Sequence, residues 1–313
     1  MTGTMPVPPL VLADECARLR QRIAAVARGG AVLLSGGGRV LAAGRIDEGT
    51  VRERLRTLTR MEVVLGYATG LPVVTLGWTA GEYPASAAVL NLVRALVAGP
   101  AEDLRHLAWE RAGAEAAIRH RDRLDTITRG LAFLAGHGLG RRAADREVFA
   151  GHECRGCAAC ATAGHLLWLS GELRDPAHDS AQWEHLAALS RSPNALAVRV
   201  GPATGADAVL RAVDRLDPGR EPGRLTFVVR LDPAELRDRL PPLVEKVRAA
   251  GAEVCWVGDP GRSGAAVRAF AEALRSAGGH AGGVHLEMSA GPGPALDLAL
   301  DFADAFRAAA GGP

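Results

Sequence analysis

Eight short apolar segments, bounded by Gly, Pro or Asp, recur along the chain, and no other feature restricts its fold so tightly. They are AVLLSGGG at 31–38, LPVVTLGW at 71–78, REVFAGH at 146–152, HLLWLSG at 165–171, ALAVRVGP at 195–202, LTFVVRLDP at 225–233, EVCWVGDP at 253–260 and GGVHLEMS at 282–289. Segments of this length that are apolar on both faces read as buried parallel strands, covered by helices on the outside. Helical patterns separate most of them, such as DAVLRAVDRLD, and LPPLVEKVRAAG with Gly251 as its C-terminal stop. Eight strands alternating with helices in about 260 residues point to an α/β fold of the (β/α)8 TIM-barrel type. Periodicity alone leaves an open doubly wound sheet as the alternative. On the barrel reading, residues 1–313 form one domain, with residues 1–30 as a short N-terminal extension and helix.

A barrel gives each strand end a meaning, because active sites gather where the strands terminate. The candidates are therefore residues 36–39, Trp78, residues 152–160, Arg199, Arg230, residues 259–262, and His285 with Glu287. Arginines at four of these places, Arg39, Arg199, Arg230 and Arg262, favour a small anionic substrate carrying carboxylate or phosphate. The competing reading is that they cap strand ends and pair with rim carboxylates. Net charge is only +2, and the basic residues are interleaved with acidic ones, as in RAGAEAAIRHRDRLDTITR. Such a pattern describes solvated helix faces, so no nucleic-acid partner is expected. No apolar run approaches the roughly 18 residues of a membrane span, and MTGTMPVPPLVLADE lacks the blocks of a signal peptide. A cytoplasmic protein with no membrane partner is the expectation.

The stretch GHECRGCAACATAGH holds Cys154, Cys157 and Cys160, with His152 before them and His165 after. In a reducing compartment a cysteine cluster points to metal binding, catalysis or packing before disulfide bonding. Thiolates at this spacing suit Zn²⁺ with His152 or His165 as fourth ligand, or an iron–sulfur cluster. Redox or nucleophilic chemistry is a second reading. Packing is the third, since small Cys residues replace Ala along a buried element. Cys16 and Cys255 read as buried hydrophobes, one on the N-terminal helix and one mid-strand.

Longer stretches carry a family resemblance. PPLVLADECARLRQRIAAVARGGAVLLSGGG, RMEVVLGYATGLPVVTLGWTAGEY, VRVGPATGADAVLRAVDRLDPGREPGRLTFVVR, LPPLVEKVRAAGAEVCWVGDP and GGVHLEM together resemble the class II (plant-type) 3-deoxy-D-arabino-heptulosonate 7-phosphate (DAHP) synthases. The resemblance implies a TIM barrel. It also implies the family reaction, which joins phosphoenolpyruvate to erythrose 4-phosphate with a divalent metal at the start of aromatic biosynthesis. The residues of that reaction carry over poorly. Arg39 in SGGGRV stands where the family has a metal-binding Cys, and Arg262 in GDPGRSG stands where it has a metal-binding His. Glu287 matches the metal-binding Glu, but SAGPGPA offers no Asp for the last ligand. The standard divalent metal site is therefore expected to be lost.

Among the anion-binding positions, Trp78 replaces an Arg, Arg199 replaces a Lys, Arg230 matches, and Ser86 is what remains of a Pro-Arg-Ser. Glu172 in GEL corresponds to a Glu in a Gly-Glu-Arg stretch, and GHEC lies where the family has Ser-His-Glu-Ala. On that alignment the three cysteines begin in a loop and enter the next helix on the active-site side. The first expectation is thus a divergent DAHP-synthase-like enzyme of specialised metabolism, acting on an enolpyruvyl or sugar-acid type of anion. Arg199 and Arg230 would clamp the substrate, with Trp78, Ser86 and Glu172 as further binding candidates. His285 and Glu287 are the acid/base candidates, and Arg39 and Arg262 the electrostatic stabilisers. Two alternatives stand beside it: a non-catalytic barrel acting as a partner or metabolite sensor, and the standard DAHP synthase reaction. A homo-oligomer is expected from the family's habit of assembling.

Overall fold

The structure, a computed structural model, describes residues 8–37, 47–78, 83–98, 109, 114–137, 147–154, 162–287 and 292–309. Its eight strands are β1 (Val32–Gly37), β2 (Val73–Trp78), β3 (Phe149–Cys154), β4 (Leu166–Glu172), β5 (Ala195–Val200), β6 (Leu225–Val229), β7 (Cys255–Gly258) and β8 (Gly283–Glu287). Each pairs in parallel with the next, and β8 closes on β1 through Leu33↔Gly283 to Gly37↔Glu287. The result is the closed eight-stranded barrel, and the open sheet is excluded. All eight apolar segments are strands. The third is displaced, however: Glu147 and Val148 precede β3, which runs on to Cys154.

Helix α1 (Ala13–Ala27) seals the N-terminal mouth of the barrel. Glu15 accepts from the Leu12 amide at 2.7 Å, a capping box that starts the helix. Leu19, Ile23 and Val26, spaced to share one face, then pack with Leu33, Phe149 and Cys255 from the barrel interior. The outer layer consists of α2 (Glu48–Thr69), α3 (Tyr83–Ala98), α4 (Ala114–Arg119), α5 (Arg121–Gly136), α6 (Ser180–Leu189), α7 (Ala206–Leu216), α8 (Pro233–Ala249), α9 (Gly264–Ser276) and α10 (Pro292–Ala309). The outward residues of the strands join these helices in one large core, with Val198, Phe227 and Leu286 among them.

Two local expectations change. Helix α8 starts at Pro233 and carries Pro241 and Pro242 inside it. Leu236, Leu240, Leu243, Val244 and Val247 bury one continuous stripe, and that packing holds the helix through the two missing amide donors. Cys255 is the first residue of β7, not a mid-strand residue, though it is fully buried as expected. Among the described residues no helix is long and apolar enough to cross a membrane.

Candidate active site

Side chains alternate along each strand, so residues two apart face the barrel axis together. Ala195 and Ala197 lead to Arg199 on β5, Val228 leads to Arg230 just after β6, and Cys255 and Val257 lead to Asp259 just after β7. The ladder continues one residue past both strands. The Arg230 amide donates to Val200 O, and the Asp259 amide donates to Val229 O, each at 2.8 Å. This fixes three charged groups at one end of the barrel. Asp259 Oδ2 lies 3.6 Å from Arg199 Nη2 and 3.6 Å from Arg230 Nη1. The carboxylate is 1% exposed, whereas the two arginine side chains are 30% and 48% exposed. At that separation the contacts are ion pairs and not hydrogen bonds, and Asp259 Oδ2 accepts no hydrogen bond among the described residues. The other oxygen, Oδ1, accepts from the Gly261 amide at 3.2 Å. Two cations thus share one carboxylate, and both still face solvent.

The floor beneath them is aromatic. The guanidinium carbon of Arg199 sits 5.5 Å from the Trp168 ring centroid, in cation–π range. The His285 ring lies against the same indole, 5.0 Å away and tilted by 39°. His285 on β8 is in register with Ser35 on β1, and its Nδ1 is 3.0 Å from Ser35 Oγ. Burial pushes the imidazole down to about 4; the charges of Arg199 and Arg230 push the same way and Asp259 opposes them. His285 is therefore neutral at pH 7, able to accept a proton at one nitrogen while donating from the other.

Glu172 ends β4 opposite Arg199, after a bulge that begins at Trp168. Its carboxylate accepts from the Ala203 amide and from Thr204 Oγ1, which occupies it with the β5–α7 turn. Gly201 makes this approach possible, since a Cβ there would stand 2.6 Å from Glu172 Cδ. Glu172, Arg199, Arg230, Asp259 and Arg262 line one cleft of about 580 Å³ at the strand ends. Arg262 is exposed and makes no ion pair among the described residues. Its neighbour Gly261 has φ +58, and a Cβ there would lie 3.7 Å from Arg230 Nη2. The β7–α9 turn is therefore folded directly over Arg230.

The family model described as the class-II DAHP synthetase family matches residues 3–85 and 81–292. The phospho-2-dehydro-3-deoxyheptonate aldolase of Streptomyces coelicolor is 32% identical, over 90% of this chain and 80% of its own length. The protein of the same name from Mycolicibacterium smegmatis is 30% identical, over 90% of this chain and 78% of its own length. The chain belongs to the class II DAHP synthetase family. On the sequence resemblance Arg262 stands where the family has a metal-binding His, and a guanidinium has no lone pair to give a divalent ion. Glu287 is the last residue of β8, opposite Gly37; its side chain, that of Trp78, and Arg39 lie outside the described residues. Ser86 is completely buried in the first turn of α3, and the cleft lining does not include it.

The cysteine stretch sits elsewhere than expected. Cys157 and Cys160 lie outside the described residues, and Cys154 ends β3 instead of opening a loop. With Phe149 facing the axis, alternation turns His152 and Cys154 outward, and Cys154 packs in the sheet–helix core. Its sulfur is 3.2 Å from Nε2 of His185 on α6. It is also disulfide-bonded. His152 is buried, and desolvation lowers its pKa while Glu153 opposes the shift. His165 belongs to the opposite end of the barrel, where its Nδ1 accepts from the Ala150 amide at 2.9 Å and its Nε2 is 3.8 Å from Glu15. Sequence reading listed Asp259 among the strand-end candidates without assigning it the role of shared counter-ion, and it did not single out Ser35 as the partner of His285. A Ser within the apolar segment AVLLSGGG was the available signal for Ser35.

Proposed function

We propose that this chain is a divergent DAHP-synthase-like enzyme that binds a small anionic substrate through Arg199 and Arg230 without the family's divalent metal. One observation carries the reading. Two solvent-facing guanidinium groups converge at the strand ends on the buried Asp259 carboxylate and line an open cleft, a setting suited to a ligand carboxylate or phosphate. Neutral His285, set by Ser35 at the floor, is the acid/base group, with Glu287 as its companion at the end of β8. Arg262, and Arg39 at the place of the family Cys, would supply electrostatic stabilisation of an enolate or carboxylate. The substrate type, an enolpyruvyl or sugar-acid anion, is one that two arginines suit. A thermal-shift screen tests this reading. Enolpyruvyl compounds and sugar phosphates should raise the melting temperature of the wild type and not of Arg230→Ala. Stabilisation by aromatic amino acids alone would favour a sensor instead.

The names of the relatives favour the standard condensation as the second reading, and it requires a metal. Separately, a zinc ion or iron–sulfur cluster at Cys154, Cys157, Cys160 and His152 would need the Cys154 disulfide reduced first, since a disulfide sulfur is not a thiolate ligand. Because Cys154 and His152 face outward, such a centre would brace β3 against the helix layer. Metal analysis of protein reduced anaerobically decides it: stoichiometric zinc or iron supports the centre, and its absence returns these residues to packing.

A further inference from the structure

The arginine that the resemblance places at the family's metal-binding His is not buried. Arg262 is exposed on the β7–α9 turn, makes no ion pair among the described residues, and lines the same cleft as Arg199 and Arg230. The turn is anchored on both sides. Asp259 Oδ1 accepts from the Gly261 amide, and Ser263 caps α9 by accepting from the Ala266 amide at 3.2 Å. Between those anchors Gly261 lies against Arg230 Nη2, so the backbone carrying Arg262 starts beside Arg230. Three of the four carboxylates lining this cleft are committed to other partners. Glu172 is held by the Ala203 amide and Thr204, and Glu235 by Arg239 at 3.0 Å and the Asp232 amide at 3.3 Å. Asp259 already faces two guanidinium groups. Of the three arginines in the cleft, Arg262 alone lacks a carboxylate among the described residues.

We infer that Arg262 is a second anion clamp, which grips a second anionic group of the substrate directly where relatives would place a metal. The inference rests on the reading that Arg199 and Arg230 hold the first group. The substrate class is then a small molecule with two anionic groups, engaged by guanidinium at both. Guanidinium matches carboxylate and phosphate through two parallel N–H donors, so binding should need no divalent ion and should tolerate a chelator.

The probes are 2-phosphoglycolate, with two anionic groups, and glycolate, with one, titrated in EDTA against the fluorescence of Trp168, which underlies Arg199. Wild type should bind 2-phosphoglycolate at least about tenfold more tightly than glycolate, the lower end for a charge-assisted contact. Arg262→Ala should erase that preference and leave glycolate affinity unchanged, while Arg262→Lys keeps part of it. Because Arg262 is exposed, the melting temperature of both variants should match wild type. If Arg262→Ala keeps the preference, or if EDTA removes it in wild type, the second clamp is overturned while the first stands. If wild type binds neither probe, the first clamp fails and the second with it. Arg230→Ala should weaken both probes alike.

Discussion

Asp259→Asn isolates the electrostatics of the cleft, because it keeps shape and removes one charge. Each ion pair at 3.6 Å contributes about 4–5 kcal/mol of attraction at an effective dielectric of about 20. Two pairs would amount to about 9 kcal/mol, but stripping water from a carboxylate that is 1% exposed takes back several kcal/mol. Exposure of both arginines screens the rest further. The net loss on substitution is about 3 kcal/mol. It is compounded by an amide that must turn either its donors toward two guanidinium groups or its oxygen away from the Gly261 amide. At this chain length about 3 kcal/mol corresponds to roughly 5 °C of melting temperature. Anion affinity should move the other way, since Arg199 and Arg230 lose their internal competitor. The assay pairs thermal unfolding with titration of a carboxylate ligand, both at low salt. A variant as stable as wild type, or one that binds anions more weakly, would refute the view of Asp259 as a shared counter-ion.

Other outcomes follow from the same structure. His285 and His165 are both held down to about 4 by burial, below the ordinary value of about 6.5. Their unfolded forms therefore take up protons first as pH falls. Stability should be level above about pH 6.5 and decline toward pH 4, by about 2 kcal/mol per histidine at pH 5. Urea unfolding at pH 7.5 and pH 5 reads this, and His165→Gln should flatten the slope by about half. Gly201→Ala forces Glu172 away from a Cβ at 2.6 Å and should cost about 1–3 kcal/mol as an overpacked contact. The same change should weaken anion binding at Arg199, and unchanged melting would contradict it. Protein unfolded without reductant should titrate two fewer thiols than the reduced protein, as the disulfide at Cys154 requires.

The parallel sheet was legible because its strands are apolar on both faces, and the count of eight pointed to a barrel, which the β8–β1 pairing then closed. Arg199 and Arg230 were legible because each closes such a run. The Ser35–His285 contact was not, since it spans 250 positions and exists only because β8 closes on β1. The orientation of the cysteine stretch depended on where β3 begins, and a one-residue slip exchanges the two faces of a strand. With β3 starting at Phe149, Cys154 faces α6 and meets His185. Arg262 was legible as a cation at a strand end, but the turn anchored by Asp259 and Ser263 that holds it exposed in the cleft was not.

The most direct test of the account supplies phosphoenolpyruvate and erythrose 4-phosphate to the purified protein, with and without Mn²⁺, and follows consumption of both. Phosphoenolpyruvate should bind saturably in EDTA and lose affinity in Arg230→Ala, with no metal-stimulated consumption of either compound. Metal-dependent consumption of both in equal amounts would contradict it, and would return this barrel to the ordinary reaction of its relatives.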